Sequence, residues 1–189
     1  MIDFEIKLDP KGLQRLAGKM QQYVNALQAS SETALKEVAT LYYTIVIDHM
    51  GEISSSGGLA FPGVDWAPLN KAWVLQKIKS GWVPEIWEAT GNTKRSVAVH
   101  AVQKTANGFE VFVGLQGVPI NMMLAALENE FGSGLYAKPS TSLFGNIPAR
   151  PLFEPAKREM LTGKNRTEIT EAFKRAAKAA YVGFAYGKP

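Results

Sequence analysis

An α+β fold, with a small antiparallel β-sheet and helices segregated from it, is what this 189-residue sequence predicts. Three observations carry that prediction. Apolar residues recur at spacings of three and four from Leu13 to His49, which draws one long helical stripe. Two alternating runs between Val97 and Leu115 flank an Asn-Gly pair, the signature of a hairpin. Helical spacing returns in Pro119 to Phe131 and again in Ile169 to Tyr181. The expected architecture is therefore a long N-terminal helix, a short helix packed on the sheet and a C-terminal amphipathic helix, within a single domain over 1–189. Its parts are an N-terminal strand and long helix (1–50), a sheet-containing core with two long loops (51–163), and a basic C-terminal helix and tail (164–189).

Composition narrows the class before any motif does. Hydrophobic residues make up 46% of the chain and charged residues 20%, an ordinary globular balance unlike that of disordered or membrane proteins. The nearest approach to a membrane span, Leu41 to Ile47, is too short and is interrupted by Tyr42, Tyr43 and Thr44. Asp3, Glu5 and Lys7 stand where a secretory leader has apolar residues, so the chain is expected to be made and used without export. The absence of cysteine excludes disulfides, thiolate catalysis and cysteine-held metals. Charge is divided unevenly. Residues 1–150 hold 13 basic and 13 acidic residues, whereas 151–189 hold 8 and 4, so the whole net charge of +4 lies in the last part.

In chain order, Ile2, Phe4, Ile6 and Leu8 alternate with charged residues and predict a half-buried strand. Asp9-Pro10 follows as a helix start, because aspartate accepts from orphan amides and proline fits the first helical position. If the stripe from Leu13 through Leu27 and on to His49 belongs to one helix, that helix is roughly 60 Å long at 1.5 Å per residue. Such a helix exceeds the needs of a small core and is expected to pack against a neighbour. Gly51 to Asp65 lacks periodicity and is rich in Ser and Gly, which predicts a loop. Asn70 to Lys79 is expected to be a short helix with Leu69 and Trp73 one turn apart. Trp66, Trp73, Trp82 and Trp87 form either a small core or a set of interface anchors.

Val97 to Val102 and Phe109 to Leu115 predict two strands, with Lys104 to Gly108 as the loop between them. Pro119 to Phe131 predicts a helix stopped by Gly132. Ser133 to Asn146 is a second long loop that nonetheless holds Leu135, Tyr136, Leu143 and Phe144, apolar residues hard to explain in a monomer. Gly145 to Phe153 then resists helix formation, because Pro148 and Pro151 fix their own φ and push Ile147 and Arg150 away from the α region. Taken alone, it is a proline-stiffened connector bearing a surface arginine. Pro155 is expected to start a helix ending near Gly163. Asn165 and Glu168 suit a capping box for the last helix, whose polar face carries Lys174, Arg175 and Lys178, and Gly183 to Pro189 should fray.

No recognisable reaction chemistry emerges. His49 and His100 sit in no ligand spacing, Asp48 and His49 point to different helix faces, and Glu128 and Glu130 diverge likewise. Leu161-Thr162-Gly163-Lys164 lacks the upstream glycine of a phosphate loop, and Asn165 stands where its hydroxyl residue belongs. The expectation is a non-enzymatic protein with no cofactor and no metal.

Three segments, taken together, resemble the phage virion morphogenesis proteins of the neck, the head-to-tail joining and tail-completion family. Asp65-Trp66-Ala67-Pro68-Leu69, then Lys77, then Ile86-Trp87-Glu88-Ala89-Thr90-Gly91-Asn92-Thr93-Lys94-Arg95-Ser96 are similar to its W-x-P-L, basic-helix and I-L-x-x-T-G-x-L-x-x-S succession. Ala126 to Gly132 resembles its A-x-x-x-E-[FY]-G element, and Ile147-Pro148-Ala149-Arg150-Pro151-Leu152-Phe153 its I-P-A-R-P-F-L arm. Order and rough spacing agree over about Asp65 to Ala156. Trp87 and Thr93 depart from the usual leucines, and Asn129 from a frequent histidine.

The resemblance marks Trp66, Pro68, Leu69, Gly91, Glu130, Gly132, Pro148, Arg150, Pro151 and Phe153 as motif or core residues. It implies a structural virion part, a ring of six copies in the neck that completes the tail or joins it to the head connector. The partners are then further copies, the head-tail connector, and tail terminator or tube proteins; the location is the virion, and the host cytoplasm during assembly. Trp66, Leu69 and Phe153 are expected in the chain's own core. Phe61, Leu135, Tyr136, Leu143, Phe144, Ile147 and Arg150 are candidates for contact with a neighbour. A tail terminator or tube-associated subunit is the alternative, and below it a nucleic-acid-binding accessory protein touching DNA weakly through Lys174, Arg175 and Lys178.

Overall fold

The computed structural model of the protein describes residues 10–50, 53, 55–87, 92–106, 108–132 and 148–186. In chain order its elements are α1 (Pro10–His49), β1 (Gly58–Phe61), β2 (Val64–Trp66), α2 (Lys71–Lys79), α3 (Asn92–Ser96) and β3 (Val97–Val99). There follow β4 (Gln103–Thr105), β5 (Gly108–Glu110), β6 (Val113–Leu115), α4 (Ile120–Phe131), α5 (Phe153–Met160) and α6 (Gly163–Tyr186). The class is α+β, mostly helical, with small antiparallel sheets. No described helix is long and apolar enough to cross a membrane. The predicted strand at Ile2 to Leu8 lies outside the described residues.

The first helix is unbroken for 40 residues. Its polar cluster rides on the outside: Thr33 bonds back to the Ala29 carbonyl at 3.2 Å, and Glu32 pairs with Lys36 at 2.8 Å. Ile45, Val46 and Met50, at the end of this helix and just past it, enter the main core with Phe61, Trp66, Ile86, Trp87, Leu152 and Ala156. Lys94 closes the helix end by donating to the Met50 carbonyl at 3.0 Å.

Helix α6 runs antiparallel to α1. Ala34 of α1 meets Ala172 and Ala176 of α6, Arg175 reaches Glu37, and nearer the other end Tyr23 meets Phe184 edge to face. Small residues at the crossing let the two backbones approach. The expected capping box does not form. The helix begins at Gly163, which puts Asn165 in its first turn; the Asn165 amide reaches the Glu159 carbonyl at 3.4 Å, and Glu168 pairs with Lys164 instead. Nor does the chain fray at Gly183, since the helix continues through Tyr186.

Gly51 to Asp65 is not all loop: β1 and β2 form a hairpin there around Pro62-Gly63, with Gly63 at φ 76. A register shift between Leu59 and Phe61 places Ala60 and Phe61 side by side in the buried class, which erases the alternation a strand normally shows in sequence. Gly57 is required by the same hairpin, because at its φ of 75 a Cβ would strike the Trp66 carbonyl.

The second hairpin is also finer than expected. Val99 pairs with Val113 and Gln103 with Glu110, so three residues on one side face two on the other. Around that one-residue bulge the first predicted strand ends at Val99, and the second is split into β5 and β6. Lys104 and Thr105, expected in the loop, pair with Phe109 and Gly108. Helix α2 is capped by the Asn70 side chain at 2.8 Å, and α4 stops at Gly132 with φ 81. Helix α5 starts two residues before Pro155, and α3 is a single turn that sequence periodicity did not reveal.

Candidate functional site

Described residues from each of the three segments that carry the motif resemblance meet at one place. Pro148 to Pro151 has no regular secondary structure and leads through Leu152 into α5, and main-chain groups of Arg150, Pro151, Leu152 and Phe153 are taken by partners from other parts of the chain. Arg150 N donates to the Asn129 carbonyl at 2.6 Å, while its Nε and Nη2 donate to the Ala67 and Pro68 carbonyls at 2.8 Å each. Two tryptophans grip the other side. Trp66 Nε1 donates to the Pro151 carbonyl and Trp87 Nε1 to the Arg150 carbonyl, both at 2.8 Å. Prolines at 148 and 151 suit such a path because neither presents an amide that needs an acceptor.

Glu130 completes the clasp. Its Oε2 accepts from Leu152 N at 2.7 Å and Phe153 N at 3.2 Å, and its Oε1 from Glu154 N at 3.4 Å. Leu152 offers no side-chain cap to α5, so the carboxylate of α4 caps that helix from outside, where the helix dipole also favours negative charge. Tyr42 of α1 donates to the Phe153 carbonyl at 2.8 Å. Its burial, then the nearby Glu130 and Glu154 charges, push the phenol up from 10.0 to about 12. Burial also lowers the Arg150 guanidinium from its ordinary value, although an arginine stays protonated at any physiological pH.

Two of the expected contact residues are thus placed inside. Arg150 is 3% exposed and held by backbone carbonyls, and Phe61 is also 3% exposed, packed between His49 and Trp66. Neither is available at the surface of this chain, contrary to the interface assignment. Among the motif residues Trp66, Glu130 and Gly132 are buried, Leu69, Pro151 and Phe153 half-buried, and Pro68 and Pro148 exposed. Gly91, Leu135, Tyr136, Leu143, Phe144 and Ile147 lie outside the described residues. Lys77 is a motif residue that works within the fold, because it is buried and its Nζ donates to the Glu85 carbonyl.

The C-terminal basic residues are exposed, but two are paired. Lys174 sits 2.8 Å from Glu171, and Arg175 sits 2.7 Å from Glu37 on α1. His49 pairs with Glu159 at 3.1 Å against Phe61, and no three metal-ligating side chains among the described residues converge.

Two hollows flank the clasp. A cleft of about 760 Å³ is lined by Asn70 and Trp73, by Glu128 and Asn129 of α4, and by Arg150. A groove of about 600 Å³ between β6 and α4 is lined mainly by apolar side chains, Leu115, Leu127 and Phe131 among them. The sequence alone does not reveal this groove, because Tyr42 of α1 and Phe153 of α5, far away in the chain, complete the walls that β6 and α4 begin. Comparison with protein families, curated proteins and solved structures finds no match to this chain.

Proposed function

We propose that the protein is a non-enzymatic structural part of a tailed-phage virion, a ring subunit of the neck that completes the tail or joins it to the head connector. The observation that carries this reading is the convergence of the three motif segments. Trp66 to Pro68, Asn129 with Glu130, and Arg150 to Phe153 interlock through named hydrogen bonds, and their packing into one module supports this reading.

The long helix supports assembly. Leu13, Leu16, Met20 and Val24 are 48%, 54%, 60% and 43% exposed along one stripe of α1, an apolar face with no cover among the described residues. A ring of identical subunits covers such a face with a neighbour. The nucleic-acid reading is weaker because Lys174 and Arg175 already face carboxylates.

The test is copy number and place in purified virions, by mass spectrometry and imaging. A small fixed number at the head–tail junction is expected; many copies along the tail would instead indicate a tube subunit. Deleting 133–146 is expected to block joining of heads to tails while the remaining chain stays folded, and normal particles from that deletion would count against the neck assignment.

A further inference from the structure

We propose that the groove between β6 and α4 receives residues Ile2 to Leu8 of a second copy of this chain, added as a strand along the open edge of β6. The inference rests on the ring reading in one respect, that a second copy is at hand. Its physical basis is separate.

The groove has the two features that strand addition needs: an open backbone edge and an apolar wall. Four consecutive residues, Phe112 to Leu115, line it, as they do when a groove runs along a strand. On the β3 side, Gln116 N donates to the Ser96 carbonyl and His100 N to the Phe112 carbonyl, each at 2.8 Å, with Ala98 paired to Gly114 between them. Antiparallel alternation therefore turns the main-chain groups of Val113 and Leu115 away from β3. Among the described residues no strand pairs with that side, since β6 belongs to a two-stranded sheet. The side chains are equally uncovered: Phe112 is 62% exposed, Phe131 54% and Met123 41%.

Ile2, Phe4, Ile6 and Leu8, alternating with Asp3, Glu5 and Lys7, form the one stretch of this sequence that offers four apolar residues at a strand's spacing and a charged opposite face. An added strand would lay the apolar set on the groove and leave the charges in water.

The same chain's own copy cannot reach. Tyr42 lines the groove and lies 32 residues beyond Pro10 on the unbroken α1, a separation of about 48 Å at 1.5 Å per residue. Residues 1–9, fully extended, span at most about 31 Å. The helix acts as a spacer that carries the N-terminal segment away from its own groove.

The chain has no cysteine, so single cysteines can be placed cleanly. Differently tagged full-length copies carrying Phe4→Cys or Met123→Cys are mixed, and a short thiol cross-linker is added. Cross-links between the two tags are expected. The double variant F4K/I6K is expected to raise the concentration for half-assembly tenfold or more, because each buried apolar side chain is worth more than the 1.4 kcal/mol that a factor of ten represents. Assembly of F4K/I6K at unchanged concentration and copy number, with no cross-link, overturns strand exchange and leaves the ring reading standing. A competing occupant is the segment 133–147 that follows α4. A cross-link within one chain between Tyr136→Cys and Met123→Cys, with the unmodified protein solitary at every concentration by native mass spectrometry, overturns both.

Discussion

The indole Nε1 of Trp87 donates to the main-chain carbonyl of Arg150 at 2.8 Å, and it does so from a backbone at φ 63. Trp87 is the one non-glycine residue among those described with positive φ, and the left-handed region costs a bulky residue about 1–3 kcal/mol. Two gains offset that cost. The side chain is 5% exposed and meets Phe153 edge to face at 6.0 Å, and its N–H satisfies a buried carbonyl that the arm could not otherwise pair.

Trp87→Phe keeps most of the ring contact and removes the donor. The Arg150 carbonyl is then left unpaired, and a loss of about 1–3 kcal/mol in urea unfolding is expected. Trp82→Phe is the control. Trp82 is 36% exposed and pairs with Trp73 at the surface, so its replacement should change stability by about 0.5 kcal/mol or less.

Glu130 should be the most sensitive charged position. Glu130→Ala removes the acceptor for the Leu152, Phe153 and Glu154 amides together, and the loss of an N-terminal cap alone costs about 0.5–2 kcal/mol. With the buried amides unpaired, about 2–4 kcal/mol is expected in chemical denaturation. Glu130→Gln retains one acceptor oxygen and should fall between Ala and the native residue. Hydrogen exchange would localise the defect, with α5 losing protection before α1.

How much of this was legible in the sequence depends on the distance over which each signal acts. Local patterns held: the stripe of α1, the short helix from Asn70 to Lys79, and Gly132 closing α4 are each written within a few residues. Patterns broken by an extra residue did not hold. The register shift at Leu59 and Phe61 hid β1, and the bulge in the second hairpin left Val111 and Phe112 between β5 and β6, splitting the Phe109–Leu115 run that the alternation made continuous. The clasp was visible only as a set of motif residues. That Arg150 is internal could not be inferred locally, because its acceptors, the Ala67 and Pro68 carbonyls, lie more than 80 residues away and are backbone atoms that any residue supplies. Trp87 offered the one hint, since a tryptophan adds an N–H that burial obliges the fold to satisfy.

Tyr42 makes stability fall at alkaline pH. Its folded value of about 12 lies above the ordinary 10.0, so the folded state favours the neutral phenol. The contribution is complete below pH 10 and is lost as pH rises toward 12. Tyr42→Phe should lower stability at neutral pH by about 1 kcal/mol through the lost bond to the Phe153 carbonyl. It should also flatten the decline between pH 10 and 12. Denaturation midpoints of the two proteins across that range, with absorbance titration of the phenolate, check the expectation.

The pairing of α1 with α6 separates packing from charge. Arg175 and Glu37 are 2.7 Å apart, but their side chains are 64% and 48% exposed, so Arg175→Ala should cost less than about 1 kcal/mol. Ala34 is 1% exposed against Ala172 and Ala176. Ala34→Leu forces the helices apart and should cost about 1–3 kcal/mol, seen as a lower Tm.

The exposed stripe of α1 gives a test that separates assembly from folding. Leu16 and Met20 stand one turn apart at 54% and 60% exposure, so neither contributes much to the stability of a single chain. Leu16→Lys with Met20→Lys should leave the circular dichroism and the urea midpoint of the isolated subunit within about 0.5 kcal/mol of the native values. On the proposed ring reading the same two positions lie against a neighbour, where each buried apolar side chain would contribute about 1.5–3 kcal/mol. Two lysines there replace that burial with charges that must be desolvated at every repeat of the interface. Sedimentation velocity should then show free subunits at concentrations where the native protein is assembled. An unchanged assembly would mean that this face is turned to solvent in the ring, and that the length of α1 serves only to carry its N-terminal segment outward.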